Sequence, residues 1–224
     1  LATMQDWGTL RVYYLPYFRE RSFPGTSGRL RTAVPVSTGI TRYESSSKEY
    51  HPDFATRYTK VFGDFDIGLS HFYGTSREPV IETVGAQLRP YYEIINQTGM
   101  DLQYTTDAWL WKFEGISRFG HGADNHFLAG SGGFEYTLYQ FLGGDGDLGL
   151  LAEYHYDGRK AGTPGTFFDD DIFFGTRYVF NDVDDTEILG GAVIDRNDFQ
   201  TFVNLEASTR LADHWKAEFD ARLN

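Results

Sequence analysis

The sequence contains no cysteine, no long apolar segment and few basic residues. Without cysteine, neither a disulfide framework nor a thiolate metal site can form. No stretch approaches the roughly 18 consecutive apolar residues that a membrane-spanning helix needs, which excludes a helical membrane protein. Lys and Arg total 20 against 32 Asp and Glu, and the net charge of −12 argues against nucleic acid as a partner.

Aromatic residues are abundant although the chain is polar on average. They make up 17% of the 224 residues, with 15 Tyr and 19 Phe, whereas the mean hydropathy is −0.42. This combination indicates aromatic side chains interleaved with polar ones, which is typical of two-faced β-strands and not of a thick apolar core. The length is compatible with a single all-β domain.

Alternation of side-chain type predicts about eleven strands. In the stretch FEYTLYQF that begins at Phe134, Phe134 and Tyr136 fall on one side and Glu135 and Thr137 on the other, because successive strand side chains point to opposite faces. The same rule predicts strands at 8–18, 53–62, 65–75, 98–105, 108–118, 126–141, 148–158, 170–180, 186–195, 199–211 and 215–223.

The predicted connections are sorted by length. In an antiparallel sheet successive connections lie at opposite ends of the strands. The short and long connections here alternate along the chain. The short set is 63–64, 106–107, 143–147, 181–185 and 212–214, and the other set is 19–52, 76–97, 119–125 and 159–169, with 196–198 as its one short member. Tight turns at one edge and long loops at the other are a feature of transmembrane barrels.

The two faces of the predicted strands differ in chemistry. In 215–223, WKAEFDARL, every second residue is apolar and the others are charged. If the apolar faces meet lipid, aromatic residues belong near the membrane interfaces. The aromatic residues predicted at the interface beside the short turns are Phe62, Phe65, Trp109, Phe180 and Trp215. The charged residues predicted to face a lumen are Arg57, Asp66, Lys112, Glu114, Arg118, Glu135, Glu153, Asp157, Arg177, Glu187, Glu206, Arg210, Lys216, Glu218, Asp220 and Arg222.

This architecture resembles Gram-negative outer-membrane porin-type barrels. The resemblance is carried by AWLWKFEGISR, by GGFEYTLYQFLGGDGDLGLLAEYHYDGR and by NLEASTRLADHWKAEFDARL. It implies one closed antiparallel up-and-down barrel over 1–224, in a lipopolysaccharide-containing outer membrane, that passes small polar solutes without a cofactor. It leaves the oligomeric state open.

Strand number is the one departure from this resemblance, because such barrels usually have an even number of strands. We therefore expect 11 to 12 visible strands by this reading. Either C-terminal strands are missing or a further strand lies within 19–52 or 76–97.

Other functions compete with the channel. A non-conducting barrel could be structural, adhesive or ligand-binding, and a soluble lipocalin-like barrel would hold its aromatic face inside around a ligand. An outer-membrane hydrolase needs a Ser and a His on one face, but His126 and Ser131 differ in parity, so we expect no enzyme. The acidic runs at 168–172 and 182–185 lack the spacing of a defined calcium loop, so we expect no metal.

The segment 19–52 is too long for an idle connection. It carries several arginines, and one hypothesis is that it folds into the lumen as a constriction. A mobile surface loop and an additional hairpin are the alternatives.

Overall fold

The structure is a computed structural model, and it describes residues 2–122, 124–160, 166 and 168–223. Within these ranges the chain is all-β apart from three short 3-10 helices, Thr38–Ile40, Lys48–Tyr50 and Phe141–Gly143. The strands are β1 (Ala2–Gln5), β2 (Gly8–Leu15), β3 (Arg42–Tyr43), β4 (Asp53–Phe62), β5 (Phe65–Thr75), β6 (Val80–Val84), β7 (Gln87–Tyr92), β8 (Ile94–Thr105), β9 (Trp109–His121), β10 (Asp124–Leu138), β11 (Asp147–Asp157), β12 (Asp170–Val179), β13 (Glu187–Asp195), β14 (Thr201–Ala212) and β15 (Trp215–Leu223).

Twelve strands form one large antiparallel sheet. Its order is β1-β2-β4-β5-β8-β9-β10-β11-β12-β13-β14-β15, so strands that follow one another in this sheet are neighbours. The sheet is not closed: β1 and β15 are its two outermost strands. An up-and-down antiparallel sheet of this size confirms the predicted fold class and is consistent with a barrel.

A second, three-stranded sheet is built from the two longest connections. In it β3 runs parallel to β7, and β6 and β7 form an antiparallel hairpin. The expected additional strands within 19–52 and 76–97 therefore exist, but they do not join the large sheet. The twelfth strand of the large sheet is instead β1, which is four residues long and too short to show alternation.

The connections of the large sheet fall at two edges. One end of the strands carries the connections 6–7, 63–64, 106–108, 139–146, 180–186 and 213–214, and we call it the short-turn edge. The opposite end of the strands carries the connections 16–52, 76–93 and 158–169, and we call it the long-loop edge. The predicted long loop at 119–125 is wrong, because β9 and β10 extend to His121 and from Asp124. Gly120 and Gly122 have φ angles of 76° and 59°, and this left-handed backbone, which favours glycine, ends the strand in a tight turn.

The buried apolar residues are few and lie at the long-loop edge. Phe18, Tyr92, Ile95 and Phe127 are buried, and the Tyr92 ring packs edge-on against Phe18 with a centroid distance of 4.7 Å. Within the described ranges, no second layer of structure packs against the apolar face of the large sheet, so the aromatic residues of that face stay exposed. Among the residues that the structure describes, no helix is long and apolar enough to cross a membrane.

Candidate functional site

Strand pairing places every charged residue predicted for the lumen on one face of the large sheet. Directly paired residues share a face, and one row of such partners runs through Asp66, Gln103, Lys112, Gly133 and Glu153. A second row runs through Arg177, Leu189, Glu206 and Asp220. We call this the charged face. That it lines a lumen stays a prediction.

Side chains from alternate strands meet across the charged face. Arg57 of β4 binds both carboxylate oxygens of Asp101 of β8 at 2.8 and 3.0 Å, passing over β5. Arg177 of β12 lies 3.6 Å from Glu135 of β10, passing over β11. Strands two apart in a sheet are separated by about 9.5 Å. Contacts of this kind tie together strands that are not direct neighbours in the sheet.

Glycines make room for these bridges. A Cβ on Gly68 of β5 would overlap the Asp101 carboxylate, and one on Gly149 of β11 would lie 2.6 Å from Glu135 Oε1. Each glycine therefore lies beneath an ion pair that spans its strand. Glycine inside a strand commonly marks such a close approach.

The charged face carries open clefts of mixed charge. One cleft of about 440 Å³ is lined by Arg177, Glu187, Glu206, Lys216, Glu218 and Asp220. Another of about 450 Å³ is lined by Arg57, Asp66 and Asp101 together with residues of β1 and β2. Side chains of both signs thus line each cleft.

A cluster of ion pairs lies where the charged face meets the long-loop edge. Glu78, from the connection after β5, lies 3.1 Å from Arg118 and 3.4 Å from Arg159. Asp157 also binds Arg159, at 2.7 Å. The Phe127 ring is buried beneath both guanidinium groups. The connection that reaches the charged face here is therefore 76–93. The hypothesis that 19–52 forms a constriction stays a prediction.

The long-loop edge also holds a fully buried carboxylate. Asp53 accepts hydrogen bonds from the Thr75 backbone at 2.9 Å and from Arg77 at 2.6 Å, and it lies 3.0 Å from His51 Nδ1. A buried charge needs this number of partners, because an unpaired one would be strongly destabilising. The network fixes the connection after β5 to the start of β4.

Burial shifts the titration of several groups in the loops. Burial is the main cause that raises the pKa of Glu93, and the nearby carboxylates of Glu44 and Glu82 add to the rise. The Gly122 amide donates to Glu93 at 2.6 Å and opposes it. Burial and then a hydrogen bond to Glu20 raise the pKa of Tyr43. These groups of the loops therefore lie in packed surroundings.

The opposite face of the large sheet is apolar and exposed. Trp109, Trp111 and Phe113 of β9 are exposed by 37%, 44% and 40%, and strand pairing continues this face through Phe134 and Leu102 on the neighbouring strands. We call it the apolar face. All five aromatic residues predicted for the interface lie by parity on this face and beside the short-turn edge: Phe62, Phe65, Trp109, Phe180 and Trp215.

The long-loop edge has aromatic residues on the same face. Tyr14 packs against Phe54 with a centroid distance of 5.3 Å, and Tyr73 is the direct partner of Phe54 in β5. Between these residues and the short-turn edge, β5, β8 and β9 present Ile67, Leu102 and Phe113 as one row. The apolar face is thus bordered by aromatic residues at both edges.

No family model, curated protein or solved structure matches the chain. The resemblance to porin-type barrels therefore rests on architecture. The architecture that is shown is the large antiparallel sheet of twelve strands, consistent with a barrel.

The described residues include two Ser–His pairs, one on each face. His126 Nε2 lies 2.9 Å from Ser117 on the apolar face, and His155 Nδ1 lies 2.9 Å from Ser131 on the charged face. The prediction that His126 and Ser131 point to opposite faces is confirmed. The second nitrogen of His155 lies 3.6 Å from Glu153, which is longer than a hydrogen bond. In the described part of the chain, no group of three or more acidic or His side chains could hold a metal ion.

Several residues of the charged face escaped the sequence analysis. Asp101 and Asp171 lie on it by register, and Glu78 and Arg159 reach it from loops. Asp101 could have been found, because it alternates with Met100 and Leu102 in a predicted strand. Glu78 and Arg159 carry no such signal, since loop side chains have no periodicity.

Proposed function

We propose that the chain forms a β-barrel of a Gram-negative outer membrane and acts as a passive channel for small polar solutes. The observation that carries the proposal is the sorting of most charged residues of the large sheet onto one face and of most exposed aromatic residues onto the other. An apolar surface of this extent calls for lipid or a partner, because isolated soluble proteins rarely expose one. Aromatic residues at both edges support lipid.

The charged face supports a hydrated interior. Its acidic and basic residues pair across the strands, as in Arg57 with Asp101, and the clefts between them are polar. Such a wall favours the passage of water and small polar solutes over that of apolar ones. Asp101 and Asp171 add to the acidic residues already predicted, which favours cations over anions.

The position of the ion pairs supports the channel over a soluble ligand-binding barrel. A lipocalin-like barrel would enclose its aromatic face, whereas here the bridging ion pairs and the loop carboxylate Glu78 lie over the charged face. This arrangement favours lipid outside and water inside. A structural or adhesive barrel with a closed interior is the remaining alternative, and conduction separates the two.

Single-channel recording tests the proposal. The protein, purified in detergent and added to a planar bilayer under a salt gradient, is expected to give discrete current steps that grow with salt concentration. The reversal potential is expected to show a cation preference. Insertion without current, established by reconstitution in vesicles of the same lipid, would favour the adhesive barrel instead.

A further inference from the structure

One carboxylate at the long-loop edge bridges two guanidinium groups that come from different parts of the chain. Glu78 Oε2 lies 3.1 Å from Nη1 of Arg118 in β9, and Glu78 Oε1 lies 3.4 Å from Nη1 of Arg159 after β11. The two arginines belong to the charged face or border it. Glu78 approaches them from the connection between β5 and β6.

Other groups orient both guanidinium groups independently of Glu78. Arg118 Nε donates to Gln97 Oε1 at 2.7 Å, and Arg159 Nε donates to both oxygens of Asp157 at 2.9 Å. Their guanidinium carbons lie 5.5 and 5.1 Å from the centre of the Phe127 ring. Gln97, Asp157 and Phe127 are all strand residues. These contacts anchor both arginines to strand residues.

The burial of the two arginines is that of a pre-formed oxyanion site, which Glu78 occupies. Each arginine side chain is only 13% exposed, whereas Glu78 is 34% exposed. The Glu78 contacts of 3.1 and 3.4 Å are longer than the 2.7 Å between Arg159 and Asp157. Two guanidinium groups that face one point are suited to carboxylate and phosphate oxygens.

We propose that Arg118 and Arg159 bind the carboxylate or phosphate group of an anionic solute, and that Glu78 occupies this site in competition with the solute. The exchange keeps the charge of the pair compensated, because one anionic group replaces another. Binding itself is independent of conduction. The effect of this binding on the passage of solutes rests on the proposed channel function.

Calorimetric titration of the detergent-solubilised protein with inorganic phosphate tests the proposal. Glu78→Gln removes the competing carboxylate and is expected to tighten phosphate binding by about tenfold or more, since a tethered group competes at an effective concentration in the millimolar range. Arg118→Gln in the Glu78→Gln background is expected to abolish that gain. Sodium acetate, titrated in the same way, distinguishes a carboxylate site from a phosphate site, and either one supports the proposal if it shows this dependence.

Glu82 provides the matched control. It also bridges two arginines, Arg42 at 2.7 Å and Arg89 at 2.8 Å, but their side chains are 47% and 28% exposed. Glu82→Gln is expected to leave phosphate binding as in the wild type. Equal phosphate affinity in the wild type and in Glu78→Gln, or an equal gain in Glu82→Gln, would overturn the proposal.

Two further measurements keep the test decisive. If Glu78→Gln prevents folding, Glu78→Asp withdraws the carboxylate by one methylene group and is expected to give a smaller gain in affinity. Conductance of the same variants is recorded separately. Phosphate binding without current would retain this site and overturn the channel, whereas current with no effect of Glu78→Gln on binding would do the reverse.

Discussion

Arg57 of β4 and Asp101 of β8 form a two-point ion pair over β5, with Nη1–Oδ1 and Nη2–Oδ2 distances of 2.8 and 3.0 Å. Both side chains are 39% exposed, so water screens much of their attraction. The pair is therefore expected to matter more for the charge of the face than for stability. Gly68 beneath it provides the space in which the two side chains meet.

Asp101→Asn is expected to change ion selectivity and to leave stability nearly intact. Loss of the exposed pair costs less than about 1 kcal/mol of unfolding free energy. Because Arg57 then lacks its carboxylate partner, the reversal potential in a salt gradient should move towards anions. Asp213→Asn, in the turn after β14, is the control and should leave the reversal potential unchanged. The same shift in both variants would contradict the account.

We expect β8 to tolerate an arginine substitution on the charged face but not at the neighbouring position on the apolar face. Leu102 lies on the apolar face between Ile67 and Phe113, whereas Gln103 lies on the charged face between Asp66 and Lys112. Leu102→Arg is expected to lower the unfolding free energy in lipid vesicles by about 2–4 kcal/mol, and Gln103→Arg by about 1 kcal/mol or less. Urea titration of the reconstituted protein measures both. Similar losses would mean that the apolar face does not contact lipid.

Tyr92 is expected to hold the loops together without supporting the large sheet. It is fully buried, packs against Phe18, and accepts a hydrogen bond from the Arg21 amide at 2.8 Å. Tyr92→Ala should lower the stability of the three-stranded sheet by about 3 kcal/mol, in the range of other truncations of buried aromatic residues. Tyr92→Phe keeps the ring and should cost about 1 kcal/mol. Hydrogen exchange should show faster exchange of 36–50 and 80–92 and unchanged protection of β9 and β10. Equal loss in β9 would contradict the prediction.

The raised pKa of Glu93 predicts that the stability of the loops depends on pH. Its raised pKa means that the folded protein holds this proton more tightly than the unfolded chain does. Glu93 therefore contributes stability to the loops at acid pH, and this contribution is lost as the pH rises from the ordinary value of 4.5 through the raised pKa. Protease cleavage within 16–52, followed against pH, measures this. Glu93→Gln should flatten the dependence, and Glu49→Gln should not. A rise in stability over the same range would be the contrary result.

The large sheet is predictable from the sequence because its strands are two-faced. Alternation alone locates β4, β5 and β15 with their observed bounds, and Gly63 with Asp64 marks the turn between the first two. The charged face follows from the same parity. Periodicity of two is a strong signal where each face meets a different environment.

The long-loop edge is not predictable in this way. The β6–β7 hairpin is short, and the parallel pairing of β3 with β7 joins segments far apart in the chain. The turn through Gly122 resembles a loop in composition although β9 and β10 continue up to it. Glu78 reaches Arg118 only because the loops pack as they do. Contacts of this kind depend on tertiary structure and leave no local pattern.

Cysteine accessibility in a conducting bilayer tests most directly whether the charged face lines the channel. The chain has no cysteine, so a single introduced thiol is unique. Glu114 lies on the charged face between Asp101 and Ser131, and its neighbour Phe113 lies on the apolar face. A positively charged methanethiosulfonate reagent added to the aqueous side should reduce the current of Glu114→Cys and leave that of Phe113→Cys unchanged. Current that persists in Glu114→Cys and falls in Phe113→Cys would contradict the account.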